Sequence, residues 1–278
     1  MKKMFDKLLK EDTCYGDVTS EAVIPPSLQA RAEVKVKEKC LVAGLDYLKN
    51  RVQRLGLRLK NRKQDGETVR EGEVIATIEG DARTILKVER VFLNILGRMC
   101  GIATTTNRVL LKAREVNPKI KIAATRKTLL GYVDKMAVKI GGGDPHRWSL
   151  GDHILIKDNH IALVGLKEAI QRARRASFVR KIEVEVKSVD EAIKAAELGV
   201  DIIMLDNFSV KDVREAINQL KKKGFRERLL LEASGGIDEE NVVKYAESQV
   251  DILSMGCLTH SVHSIDVAMD IPFKTTEV

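Results

Sequence analysis

Cysteine is scarce and scattered. The four residues, Cys14, Cys40, Cys100 and Cys257, form no C-x-x-C pair, which excludes a zinc ribbon, a dithiol redox motif and a disulfide scaffold. Reduced thiols are expected. Aromatics amount to six Phe, four Tyr and one Trp in no repeated pattern, so the stacking platforms of a single-strand nucleic-acid binder are missing. No run of about 18 uncharged apolar residues occurs, and no long apolar segment follows the lysines of the first nine residues. Neither a membrane span nor an export signal is expected, and the chain is placed in the cytoplasm with no membrane or nucleic-acid partner. Metal and nucleotide signatures are absent too. There is no G-x-x-x-x-G-K-[ST], no G-x-G-x-x-G after a strand and no H-E-x-x-H, which argues against P-loop, dinucleotide-binding and zinc-protease chemistry.

What is present is an ordinary globular composition. The 278 residues are 44% hydrophobic and 32% charged, enough for two domains or one elaborated α/β barrel with a sizeable core. The 48 basic and 40 acidic residues leave a net charge of +8. Basic runs such as 172–175 and 221–223 fall on polar faces of expected helices, where solvation is the default. Small anionic ligands are the better use for the remaining cations.

Two rhythms divide the chain. Up to about residue 105 the pattern is mixed, with a helical start, an alternating segment at 32–36, and short strands joined by Gly turns over 65–81. The pattern from Arg90 to Lys112 predicts a long helix with a break near Gly101, joining two domains. After Asn117-Pro118 short apolar runs alternate with amphipathic helices, the mark of repeated βα units and a parallel sheet. The runs are 120–125, 153–157, 181–186, 201–206, 228–234 and 251–256, with helices at about 166–176, 188–199, 209–223 and 238–248. Six strands fit here, whereas a complete barrel takes roughly 250 residues. The expected fold class is therefore α/β, with an N-terminal domain and an open, incomplete barrel of about six strands.

The polar residues gather at strand ends, where the βα loops of a barrel carry the chemistry. The first run ends in Arg126-Lys127, the second in Lys157, the third carries Glu185, the fourth ends in Asp206, the fifth in Ser234-Gly235-Gly236 and the sixth in Gly256. Arg126, Lys127, His146, Arg147 and Lys157 would converge on an anion, and the arginine fork suits a planar carboxylate. Glu185 and Asp206 offer hard oxygens suited to Mg²⁺ bridged to phosphate. Ser234-Gly235-Gly236 opens a loop before a helix expected near Asp238, where backbone N–H groups would hold a phosphate, with Gly256 completing the site. His153 and His263 are read as structural. A non-enzymatic anion or RNA binder is the competing reading. Carboxylates set beside an anion site argue against it, because they make sense there only with a metal or a developing cation.

The strings EDTCYGDVTSEAVIP (11–25), ERVFLNILGRMCGIATTT (89–106), ATRKT (124–128), KIGGGDPHR (139–147), LIKDNHIAL (155–163), IEVEV (182–186), IMLDNF (203–208), EASGGI (232–237) and SMGCLTHS (254–261) together resemble the quinolinate phosphoribosyltransferases. The likeness runs in order over nearly the whole chain. It implies an N-terminal α/β sandwich over 1–105, completed by 266–278, and a barrel over 106–265. It further implies phosphoribosyl transfer from phosphoribosyl pyrophosphate to quinolinate, with decarboxylation to nicotinate mononucleotide, in a Mg²⁺-dependent homodimer or higher homo-oligomer. Carried over by motif position, Arg126, His146, Arg147 and Lys157 would hold the quinolinate carboxylates, with Lys127 between substrate and pyrophosphate. Arg90 would reach the neighbouring subunit's site. Lys127, Glu185 and Asp206 would be the catalytic residues, Glu185 and Asp206 also taking the metal. Ser234, Gly235, Gly236, Gly256 and His260 would line the phosphate side.

Two segments depart from the family pattern. Leu129-Leu130 stand in place of Thr-Pro, and Pro145 stands in place of Asn before His146-Arg147, with Trp148-Ser149 following. Both flank the expected acid pocket. A nicotinate phosphoribosyltransferase, or a paralogue acting on another aromatic acid, is therefore the alternative. The four cations favour a dicarboxylate, since one carboxylate requires fewer.

Overall fold

The computed structural model describes residues 4–272 and divides into two compact units. Among the described residues, unit 1 comprises 4–105, 132–141 and 262–272, and unit 2 comprises 106–131 and 142–261. The segment 132–141, expected in the barrel, thus groups with unit 1, as does 262–265. Residues 273–278, expected to help complete the N-terminal domain, lie outside the described residues.

In unit 1, strands β1 (Gln29–Val36), β2 (Cys40–Leu41), β3 (Arg58–Asn61), β4 (Thr68–Val69) and β5 (Val74–Asp81) accompany helices α1 (Met4–Asp12), α2 (Val18–Val23) and α3 (Leu45–Val52). The main sheet is antiparallel in the order β12-β1-β5-β3, where β12 (Val267–Asp270) comes from the far end of the chain and pairs Val36 with Val267. Period-two alternation puts Ala32, Val34 and Val36 of β1 wholly in the core. Helix α4 (Ala82–Val116) is continuous for 35 residues. Its Ile85, Val88, Phe92, Leu96 and Met99 recur at intervals of three or four and are buried. The break expected at Gly101 does not occur. A Cβ there would lie 2.0 Å from the carbonyl oxygen of His263, so this glycine serves a close approach of backbone and leaves the helix intact. Helix α5 (Tyr132–Ile140) also belongs to unit 1.

Unit 2 is built from β6 (Lys121–Ala124), β7 (Ile154–Ile156), β8 (Ile182–Val186), β9 (Ile202–Asp206), β10 (Leu230–Ser234) and β11 (Ile252–Met255). They form one parallel sheet in the order β6-β11-β10-β9-β8-β7, with β6 and β7 at its edges and the outer side of β6 bridged from Ala123 to Asp144. Residues from the ends of all six strands line one cavity, so the sheet curls around an opening without closing: an open barrel. The intervening helices are α6 (Asp158–Val164), α7 (Leu166–Ala176), α8 (Val189–Glu197), α9 (Val210–Lys222), α10 (Val242–Ala246) and α11 (Cys257–His260). Ser188 and Ser209 cap α8 and α9 by accepting from the N–H groups of Glu191 and Asp212. Val213, Ala216, Ile217 and Leu220 form the buried stripe of α9. Helix α6 was not anticipated. His160, its third residue, accepts from the Lys157 N–H at 2.9 Å and closes the cap.

Candidate active site

At the C-terminal ends of the barrel strands lie two adjoining cavities of about 340 and 500 Å³. The first is lined by Arg126, Lys127, His146, Arg147, Lys157, Glu185, Asp206 and Ser234. The second shares Lys127, Lys157, Glu185, Asp206 and Ser234 and adds Gly235, Gly236, Gly256 and His260. Every candidate residue from the barrel therefore borders this opening. Arg90 belongs to unit 1, where it is exposed and lines a surface pocket with Glu11, Asp12 and Asn94.

The parallel register explains the convergence. Asp206 of β9 pairs with Ser234 of β10, and Ser234 with Ser254 of β11, so the three side chains stand abreast at the rim. One step down, Glu185 of β8 is abreast of Met204, and Met204 of Glu232. Lys157, ending β7, places its Nζ on Oε2 of Glu185. The main chain of Lys127 is fixed from two sides. Its N–H donates to Thr125 Oγ1 at 3.2 Å, and its carbonyl accepts from Thr259 Oγ1 at 2.8 Å.

His146 occupies the left-handed region at φ +55°, which a side-chain oxygen of Asp144 supports by accepting the His146 N–H at 2.7 Å. Such strain at a cavity wall is typical of a functional position. Its Nε2 lies 3.1 Å from Oε2 of Glu232 and 3.4 Å from Oε2 of Glu183. Burial opposes a charged ring, but hydrogen bonds to Glu183 and Glu232 outweigh it and raise its pKa to about 10. Glu183 accepts from both His146 and His153, which overcome its burial and hold it at about 2. Burial, reinforced by the charge of Glu183, pushes Glu232 up. Arg147 is lowered by burial and by the neighbouring Arg126. Sequence reasoning missed Glu183 and Glu232, and it read His153 as structural. The signal was available: Glu183 and Glu185 are two apart in one strand and share a face.

On the phosphate side the expected helix near Asp238 begins only at Val242. Asp238 Oδ1 accepts from the N–H groups of Glu240 and Asn241, and Asn241 Nδ2 donates to the Gly236 carbonyl, so a closed turn stands where the helix was expected. The Gly235-Gly236 loop and the start of α11, at Gly256 and Cys257, border this cavity. Gly235 has φ +98°, and a Cβ there would lie 2.2 Å from Oδ1 of Asn207. Asn207 in turn donates from Nδ2 to Oδ2 of Asp206 at 2.8 Å. For a divalent cation Glu185 and Asp206, and beside them Asp238, offer carboxylate oxygens bordering the same cavity, hard donors of the kind that suit Mg²⁺.

Family models agree with this architecture. The N-terminal domain of quinolinate phosphoribosyl transferase matches residues 17–100 and its C-terminal domain residues 102–270. A Methanocaldococcus jannaschii protein described as a probable nicotinate-nucleotide pyrophosphorylase (carboxylating) is 47% identical over 97% of this chain and 96% of its own. The Mycobacterium leprae nicotinate-nucleotide pyrophosphorylase (carboxylating) is 36% identical over 95% of each. The crystal structure of the Ehrlichia chaffeensis nicotinate-nucleotide pyrophosphorylase superposes with a TM-score of 0.89 at 30% identity, over 97% of this chain and 98% of that one. With both domain models matched in order along the chain and a relative 47% identical over 97% of it, the chain belongs to the quinolinate phosphoribosyl transferase family.

Proposed function

We propose that this protein transfers the phosphoribosyl group of phosphoribosyl pyrophosphate to the ring nitrogen of quinolinate, giving nicotinate mononucleotide, pyrophosphate and CO₂. One observation carries the reading: four cations, Arg126, Arg147, His146 and Lys157, border one cavity together with the carboxylates Glu185 and Asp206. The smaller cavity suits a planar dicarboxylate, with Arg126 and Arg147 as forks. The larger one offers the Gly235-Gly236 and Gly256 loops to the 5′-phosphate.

As the bond from C1′ to pyrophosphate oxygen breaks, positive charge grows on the ribose, where Glu185 and Asp206 oppose it. Lys127 offsets the charge of the leaving pyrophosphate. Mg²⁺ held by Glu185 and Asp206 would neutralise pyrophosphate oxygens when bound. The new N–C1′ bond leaves the pyridine nitrogen positive. That ring accepts the electron pair released when the adjacent carboxylate departs as CO₂, and a proton replaces it. The chain's own part is to orient the acid and exclude water. Arg90 is assigned to the site of a neighbouring subunit in a cytoplasmic homodimer. Among the described residues no helix is long and apolar enough to cross a membrane.

Incubation with phosphoribosyl pyrophosphate, Mg²⁺ and either quinolinate or nicotinate tests the reading. Nicotinate mononucleotide and CO₂ in equal amounts from quinolinate are expected. Product from nicotinate alone reassigns the acid pocket, and Leu129, Leu130 and Pro145 become the residues to examine.

A further inference from the structure

Below the mouth of the barrel four titratable side chains meet, and only His146 among them lines the cavity. His153 Nε2 lies 2.6 Å from Oε2 of Glu183. The same oxygen is 3.4 Å from Nε2 of His146, and Glu232 Oε2 approaches that nitrogen at 3.1 Å. The two imidazoles stand edge to face with centroids 5.0 Å apart. Both glutamates are fully buried, and among the described residues Oε1 of each has no hydrogen-bond partner.

His146, His153 and Glu183 bring ligand atoms within 4.8 Å of one another, close enough to suggest a metal centre. One distance decides against it. Two ligands at about 2.1 Å from one zinc ion stand about 3 Å or more apart. A 2.6 Å separation between His153 and Glu183 is that of a charge-assisted hydrogen bond. The cluster is a hydrogen-bonded chain. An ionised carboxylate only accepts, so His153 and His146 both donate from Nε2. That leaves Nδ1 as the polar atom His146 can offer to the cavity. Glu183 can set the plane of the His146 ring only if its own carboxylate is held, and it is the two histidines that meet its bonded oxygen.

We infer that His153, acting through Glu183, is a positioning residue for His146 in recognition of the aromatic acid. The inference rests on the acid-pocket reading above and adds a residue that does not itself border the cavity. His153 holds Glu183, Glu183 and Glu232 orient His146, and His146 presents Nδ1–H to a substrate carboxylate. The effect of His153 falls on the acid, because His153 and Glu183 stand before β7 and on β8, whereas the phosphate loops at Gly235-Gly236 and Gly256 follow β10 and β11.

The test uses the full-length protein with His153→Ala and His153→Gln, each checked for folding by circular dichroism and thermal melting. The acid and phosphoribosyl pyrophosphate are varied separately. His153→Ala is expected to raise KM for the acid about tenfold, the weight of one hydrogen bond to a charged group, while KM for phosphoribosyl pyrophosphate stays unchanged. His153→Gln, whose amide can donate to Glu183, is expected to recover most of the loss. An unchanged acid KM in folded His153→Ala, or equal rises in both KM values, overturns the inference. So does one equivalent of bound metal that the alanine variant loses. The measurement is made on whichever acid the wild type consumes, so a failure of the quinolinate assignment shows in the wild type alone. Should the wild type consume none, calorimetric titration with quinolinate replaces it, and binding that is absent or identical in wild type and variant overturns the inference.

Discussion

Lys157 and Glu185 form an ion pair between the neighbouring strands β7 and β8 at the mouth of the barrel, Nζ against Oε2, with the carboxylate largely buried. The cation assigned to the acid and the carboxylate assigned to the ribose thus neutralise each other in the free protein. Under the proposed roles, substrate would separate them and each would meet its own part of the substrate. Glu185→Gln would release Lys157 while removing the charge that opposes the developing cation. It is expected to lower kcat about 10²-fold or more, with a smaller change in KM for the acid. Full turnover by this variant in a steady-state assay would remove Glu185 from the charge-stabilising role.

His146 makes a pH dependence with two distinct windows. Its pKa is raised to about 10 in the fold, above the free value of about 6.5. The stabilisation it contributes is therefore complete below about pH 6.5 and declines as pH rises to about 10. Glu183, held at about 2, contributes stability that is complete above its free value of about 4.3 and is lost as pH falls through the folded value. Between them lies a plateau from about pH 4.5 to 6.5. Urea unfolding of wild type and His146→Gln should show a stability difference that shrinks steadily above pH 6.5. Binding behaves differently, because the folded ring stays charged until about pH 10. KM for the acid should stay flat to about pH 9, and a rise centred near pH 6.5 would contradict the buried carboxylate pair.

The barrel and its rim were legible because each strand is a short apolar run that ends abruptly in a polar residue. Arg126, Lys157, Asp206 and Ser234 sit just where burial stops. Glu183 and Glu232 were not legible by the same rule, since they lie inside the apolar runs and are wholly buried. Their partners, His146 and His153, come from a loop far away in sequence, and no local pattern announces that pairing. The Gly101 error had the opposite cause. Local propensity marks glycine as a helix breaker, but the neighbour that requires it, the backbone at His263, is distant in sequence. The helix expected from near Asp238 starts later, at Val242, because the Asp238 and Asn241 side chains accept from each other's backbone N–H groups and close a turn ahead of it.

Gly235 links the phosphate loop to Asp206. Its φ of +98° disfavours any L side chain, and an added Cβ would collide with Oδ1 of Asn207 at 2.2 Å. Asn207 would have to leave both Asp206 Oδ2 and the Ser234 carbonyl, to which its N–H donates at 2.7 Å. Gly235→Ala should cost about 1–2 kcal/mol of stability from the backbone alone. Displacement of Asp206 should raise KM for phosphoribosyl pyrophosphate and lower kcat, with the acid KM little affected. Kinetics on the folded variant, with each substrate varied in turn, separate this outcome from a general loss of structure.

Arg98 of α4 grips Asp134 of α5 with two parallel bonds of 2.7 and 2.8 Å, and Asp134 is completely buried. This pair explains why residues 132–141, which follow the first barrel strand in sequence, group with unit 1. Removing one partner breaks a buried, forked ion pair. Asp134→Ala is expected to destabilise by about 3–5 kcal/mol, whereas replacing both residues with leucine should cost less than the sum of the single changes. Chemical denaturation of the two single variants and the double variant measures this coupling. Additive losses would mean that the buried charge is relieved by other groups, and the fork would then no longer account for where the segment docks.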